Sequence, residues 1–349
     1  MRPLPFVPQN YSLAGGYCTV FVPNIDGTTI ANRIGSYLRL HSIHAIFREQ
    51  YASALCESMD QVSFEVRLFS GRGSYAHGVI VEIYRLNGDS LAFFRYRCAI
   101  TLAAQGKATA QELVAKFNTK PNFSVAAMEV DEKEGKMITQ EALEDILCLL
   151  REERLDTEML AMESLRNLTD AEKSGELIAR EASIQLLKDF DSNGTGGVHD
   201  EGDANTGSMI YDCLSRCLQA DKRSEGDKRR FDFEENHINN MKYLSLQVLG
   251  NAMLYLRHEN YSVENEHVLC LIPIMIEEMK HADEHPHGAY FATRCLDSIL
   301  KYYPYSIADR GNLSAKLGPL LMSARSVGAC GHACLEDVTN RVLDRLHVC

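Results

Sequence analysis

Met159–Thr169 reads Met-Leu-Ala-Met-Glu-Ser-Leu-Arg-Asn-Leu-Thr. Leu160, Met162, Leu165 and Leu168 recur at a spacing near three, which lays an apolar stripe along one face of a helix with Arg166 and Asn167 beside it. The phrase returns at Leu246-Gln-Val-Leu249-Gly-Asn251-Ala252, at Arg294-Cys-Leu296-Asp-Ser-Ile299-Leu300 and at Val342-Leu343-Asp-Arg-Leu346. Anchored on its leucine, it falls at Leu165, Leu214, Leu249, Leu296 and Leu343, separations of 49, 35, 47 and 47 residues. Leu214 is the weakest of these anchors, and Leu187-Lys-Asp-Phe190 competes with it for the second position.

Everything after Thr139 keeps a helical period. Thr139 is the expected cap of a helix over 141–152, and Asp156 that of the Met159–Thr169 helix. Further helices are expected at 172–190, 208–220, 237–258, 264–281, 288–303, 312–323 and 332–347. A two- or three-helix unit of about 44 residues buries too little apolar surface to offset its own ordering, so such units must stack on neighbours. Spacing and phrase together resemble armadillo and HEAT repeats over residues 139–347. That resemblance implies an all-α solenoid whose inner-helix asparagines, Asn167 and Asn251, hold an extended peptide backbone in a groove, flanked by Arg166 and Arg294. The other two phrases carry Ser298 and Arg345 at that position, and the chain has no Trp, the residue that often partners the asparagine.

The first third reads differently. Pro3, Pro5, Pro8 and Pro23 with Gly15-Gly16 make residues 1–26 an irregular lead-in. Ile30, Ile34 and Leu38 place a helix over 28–44. Val62–Leu68 and Val79–Leu86 alternate with period two, and Asn87-Gly88-Asp89 reads as a hairpin turn returning Leu91–Tyr96 as a third strand. Cys98–Gln105 then closes the module as a helix stopped by Gly106. The result is a small α+β domain over 27–116 with an antiparallel meander. Val81-Glu-Ile-Tyr-Arg-Leu and Gly88-Asp-Ser-Leu-Ala-Phe93 resemble the end of a kinase-associated C-terminal domain, which implies docking on a kinase or on anionic lipid headgroups. Arg67, Arg72, Arg85, Arg95 and Arg97 are the candidate anion patch; the competing reading makes them the solvated side of a half-exposed sheet.

Residues 117–138 read as a linker, and 139–349 as the helical domain with flexible insertions at 191–207 and 221–235. Residues 1–116 hold 11 Lys and Arg against 8 Asp and Glu, leaving 25 against 40 for the rest. The acidic region disfavours nucleic acid and favours a basic peptide or protein. Eleven unpaired-looking cysteines and a proline-broken start point to reduced thiols in the cytoplasm or nucleus, and no apolar run reaches the roughly 18 residues that span a bilayer.

Asp189, Asp191, Asn193 and Asp200 fit part of a calcium loop, although Gly196 and the final Asp depart from it; a solvated linker is the rival reading. His281, His285 and His287 form a His-rich interhelical loop with Pro286 in the first turn of the next helix. Cys330-Gly-His332-Ala-Cys334 and Cys213/Cys217 lack zinc-knuckle spacing. No nucleotide-binding, nucleophile-elbow or metalloprotease motif occurs in context. The sequence therefore points to a non-catalytic scaffold without cofactors: an α+β module followed by an armadillo/HEAT-like solenoid. A membrane-peripheral adaptor and a calcium-responsive protein are the alternatives.

Overall fold

The computed structural model describes residues 3–9, 11, 18–118, 132–152, 154–192, 228–255, 257–258, 261–262, 271–302 and 312–348. The chain forms two compact units: Met1–Ser124 with Arg325–Asp337, and Val125–Ala324 with Val338–Cys349.

The first unit is built on a five-stranded antiparallel sheet of β1 (Thr19–Pro23), β2 (His44–Arg48), β3 (Ser53–Glu57), β4 (Ser63–Ser70) and β5 (Gly78–Asn87), ordered β1-β5-β4-β3-β2. Helix α1 (Gly27–Leu40) starts where the Asp26 carboxylate accepts the Thr29 N–H at 2.9 Å, and it buries Ile30, Ile34, Tyr37 and Leu38. Helix α2 is Ser90–Gln105 and α3 is Ala110–Asn118. Val20, Val22, Ala54, Cys56, Phe64, Val66, Leu68, Val79, Val81 and Ile83 share one core with α1 and α2. Phe64 is wholly enclosed, so truncation to Ala would remove about 3–5 kcal/mol.

Two expectations fail here for identifiable reasons. Leu91–Tyr96 is not a strand. The Asp89 carboxylate accepts the Ala92 N–H at 2.6 Å and so caps a helix, and Ala92, Phe93, Tyr96, Ala99, Ile100 and Ala103 then align on one buried face. Period 3.6 overrides the strand propensity of the aromatic run, and the turn at Gly88 leads into a helix instead of a hairpin. Gly88 has φ 93°, and a Cβ there would stand 2.5 Å from the Gln61 carbonyl. Gly106 does end the helix, in the left-handed region at φ 65°. Second, the lead-in contains β1, which pairs along its length with β5; Pro23 is accommodated because β1 is an edge strand.

Arg325–Asp337 also belongs to this unit, although the sequence places it in the helical domain. Arg39 donates from Nε to the Ala329 carbonyl and from its terminal nitrogen to Glu336, both at 2.6 Å, and Ser42 Oγ accepts the Cys334 N–H at 2.9 Å.

The second unit is helical. Its described helices are α4 (Glu132–Arg151), α5 (Leu155–Thr169), α6 (Ala171–Ser174), α7 (Glu176–Ser192), α8 (Lys228–Ala252), α9 (Ile272–Lys280), α10 (Pro286–Tyr302), α11 (Asn312–Gly331) and α12 (Ala333–Val348), the last two shared with the first unit. Thr139 is not a cap: α4 begins seven residues earlier, and the buried Thr139 hydroxyl donates back to the Gly135 carbonyl at 2.8 Å. Nor does Asp156 cap α5, because it pairs with Arg154 at 2.7 Å inside the first turn. The charged stretch 221–235, expected to be a loop, is helical from Lys228 onward. The expected helix over 237–258 ends instead at Ala252, and Arg257–His258 pairs with Tyr261–Ser262. Pro273 sets the first turn of α9, and the expected start at 264 lies outside the described residues. The residues around Leu214 lie outside the described set.

Helix α5 packs on α4, α7 and α8; α8 packs on α7 and α10; α9 packs on α10. Leu143, Met162, Leu186, Met241, Met275 and Ile299 belong to one continuous core. No described helix is long and apolar enough to cross a membrane.

Candidate functional site

The four described anchor leucines, Leu165, Leu249, Leu296 and Leu343, are 0, 2, 0 and 9 % exposed and belong to the same core. They sit on α5, α8, α10 and α12, and the residue two positions after three of them engages an adjoining group. Asn251 Nδ2 on α8 donates to Thr169 Oγ1 on α5 at 3.4 Å. Arg345 Nε on α12 donates to Asp297 Oδ1 on α10 at 2.6 Å, and Arg341 Nε reaches Oδ2 of the same carboxylate at 3.2 Å. Asn167, the exposed member, accepts on Oδ1 from Lys173 Nζ at 2.8 Å and from the Arg166 guanidinium at 3.2 Å. Ser298 is buried.

Arg294 on α10 completes the neighbourhood. Its Cδ lies 3.8 Å from where a Cβ on Gly250 would stand, an ordinary contact alongside those of Phe291 and Cys295. Of the four groove residues read from the sequence, Arg166 and Asn167 meet each other on α5, Asn251 meets Thr169 on that helix, and Arg294 lies beside Gly250. Sequence reasoning missed Thr169, Lys173 and Asp297. Thr169 was visible as the last residue of the opening phrase, but its partner is 82 residues away. The ledge is rich in donors: two amides, two guanidiniums and an ammonium. Such a set suits carbonyl or carboxylate oxygens.

The five candidate patch arginines are spread over different elements of the N-terminal unit. Arg67 lies on the open face of the sheet, paired with Glu65 at 2.6 Å and set over the Tyr84 ring. Arg85 is opposite Phe64 in the register, which puts it on the helix-covered face, and donates to the Gly88 carbonyl at 2.8 Å. Arg72 stands over Phe6, and Arg97 over Phe94 on α2, which also carries the exposed Arg95. The open face is not simply solvated either: Glu65 and Glu82 are buried on it. The Arg67 guanidinium holds the Glu65 carboxyl below the usual range, and Glu82 accepts from the Tyr11 hydroxyl. Burial and Glu82 push Tyr84 up to about 12.

A second concavity, of about 630 Å³, lies in the N-terminal unit between α1 and strands β2, β3 and β4. Ile34, Leu38, Ala54, Val66 and Leu68 form a buried floor, and Phe47 stands 67 % exposed at the rim. Small residues open it. Ala31 and Gly35 lie one turn apart on α1 with Ala52 and Ala54 facing them, while one turn earlier Leu4 packs over Gly27, where a Cβ would stand 2.6 Å from the Leu4 Cδ1. Gly35 has negative φ, and a Cβ there would meet nothing within 4 Å. Neither backbone conformation nor packing requires it, yet a mid-helix glycine forfeits about 1 kcal/mol relative to alanine.

Of the calcium-loop candidates, Asp189 and Asp191 lie within α7, while Asn193 and Asp200 fall outside the described residues. His287 is buried against Tyr243, and His332 Nδ1 accepts the Leu335 N–H at 3.1 Å, capping α12. No group of three or more potential metal ligands occurs among the described residues. Burial pushes the Cys56 and Cys295 thiols up to about 12, which keeps them protonated and unreactive.

No protein-family model, no curated protein and no solved structure matches the chain.

Proposed function

We propose that the protein is a non-catalytic binding scaffold whose helical unit is a short armadillo/HEAT-like array holding a peptide or protein along the ledge from Asn167 to Arg294. The observation that carries this reading is the stacking of the anchor helices in chain order: α5 against α8, α8 against α10, and α10 joined to α12 through Asp297. Each helix buries its anchor leucine in the shared core, the arrangement expected of units that cannot fold alone. Arg166, Asn167, Lys173, Asn251 and Arg294 all carry donors, suited to the carbonyls of an extended backbone. The surplus of acids across residues 117–349, 40 against 25, favours a basic partner through longer-range attraction.

The test is affinity capture with the intact chain, read by mass spectrometry against an Asn167→Ala/Asn251→Ala variant that melts cooperatively. Partners retained by the parent and lost by the variant support the ledge. Identical partner sets remove it. A captured partner whose affinity does not weaken between low and high salt removes the basic-ligand part.

A further inference from the structure

The cavity between α1 and the sheet has the form of a slot, not of a packing defect. Its α1 wall runs from Gly27 to Leu38, three turns of helix and roughly 16 Å at about 1.5 Å per residue. Its volume lies within the roughly 300–1,000 Å³ typical of ligand pockets. The floor offers water few polar partners, so a hydrated slot is a poor state for the protein, and an apolar occupant would displace poorly held water. Two features indicate that the space is maintained: Gly35 is demanded by neither backbone nor packing, and Phe47 is an exposed aromatic on an edge strand beside the opening. Thr28, Arg48 and Glu49 place polar groups around the mouth, and the one buried polar side chain in the lining is Ser53.

We propose that this slot binds one linear alkyl chain of a single-chain amphiphile, such as a medium-chain fatty acid. The alkyl tail lies along Ala31 and Gly35, with Leu4 packed over Gly27 at one end of the slot, and the polar head remains at the rim. A slot three helical turns long exceeds the reach of any single protein side chain, which favours a flexible chain over an inserted residue of a partner. Binding covers Phe47 and fills the space that Gly35 leaves.

The experiment is calorimetric titration of the full chain with sodium dodecanoate below its micelle-forming concentration, alongside melting curves. The expected result is saturable one-to-one binding and a melting temperature that climbs with ligand concentration, with hexanoate binding at least about 100-fold more weakly because six methylenes are lost. Gly35→Leu should place its side chain in the slot. It should weaken dodecanoate at least about tenfold while the free variant melts no lower than the parent. Phe47→Ser, at an exposed rim position that the core does not need, should weaken binding several-fold. Absence of saturable binding by the parent overturns the proposal, as does a folded Gly35→Leu that binds as tightly as the parent. Should Gly35→Leu fail to fold, unchanged affinity in Phe47→Ser overturns it and weakened affinity supports it.

Discussion

Asn251 Nδ2 on α8 donates to the Thr169 hydroxyl on α5 across 3.4 Å, and that hydroxyl in turn donates to the Leu165 carbonyl at 3.0 Å. The Asn251 amide is thus held by α5. Replacing it with alanine removes a long, partly buried hydrogen bond and should lower stability by about 0.5–1 kcal/mol. Thr169→Val should do the same, and the double variant should fall short of the sum, measured by urea unfolding as a double-mutant cycle. Full additivity would mean the two groups do not interact in solution.

Asp297 is shared by Arg341 and Arg345, and its side chain is only 15 % exposed against 53 and 37 % for the arginines. Removing the carboxylate leaves two guanidiniums unpartnered, whereas removing one arginine leaves the other in place. Asp297→Ala is expected to lower stability by about 1–3 kcal/mol and Arg341→Ala by less than about 0.5 kcal/mol. Equal effects in equilibrium unfolding would count against a shared carboxylate.

Two helix glycines should respond in opposite directions to the same methyl group. Gly35→Ala meets open space and gains helix propensity, so it should raise stability by about 0.4–1 kcal/mol. Gly328→Ala puts a Cβ 2.5 Å from the Glu336 backbone nitrogen, where α11 crosses the start of α12, and should lower stability by about 1–3 kcal/mol. Differential scanning calorimetry gives both signs directly.

His41 is packed between the rings of Tyr37 and Tyr96, with centroids 5.3 and 5.4 Å away, and this burial lowers its pKa from the ordinary 6.5. Asp60 nearby opposes the shift and Arg95 adds to it. Below about pH 6.5 the unfolded chain takes up a proton that the folded chain refuses, so unfolding free energy must fall on acidification. The contribution is intact at pH 7.5 and lost as the pH drops through the folded value. The urea midpoint of the parent should decrease between pH 7.5 and 5.5, and that of His41→Phe should decrease less. Parallel profiles would remove His41 as the cause.

The long, regularly patterned elements could be read from residues alone. α1 showed its Ile30–Ile34–Leu38 stripe, β4 and β5 their alternation, and Pro286 the start of α10. The short strands could not. β2 is His-Ala-Ile-Phe-Arg and β3 is Ser-Ala-Leu-Cys-Glu, five residues each with little alternation, and only the neighbouring ladder makes them strands. Leu91–Tyr96 misled because aromatic residues favour strands while their spacing here favours a helix; the Asp89 cap decides between the two. For the proposed ledge, Asn167, Asn251, Arg166 and Arg294 were named from the repeated phrase alone. Thr169 and Asp297 gain their meaning only from helices that come together. The slot was illegible, because it arises from small side chains on α1 and on β3 facing one another across distances that no local pattern encodes.

The grouping of Arg325–Asp337 with the first 124 residues has a consequence for synthesis. Ser42 Oγ receives the Cys334 N–H from 292 positions later, and Arg39 receives Glu336 from 297. At roughly 5–20 residues per second, translation delivers those partners roughly 12–50 s after the last β-sheet segment has been made. During that interval the nascent sheet and α1 carry Arg39 and the Ser42 hydroxyl without their eventual partners. A fragment cut after residue 124 reproduces that interim state permanently. Its completion in trans by a peptide covering 325–337 would turn a vectorial folding event into a bimolecular one whose rate can be followed.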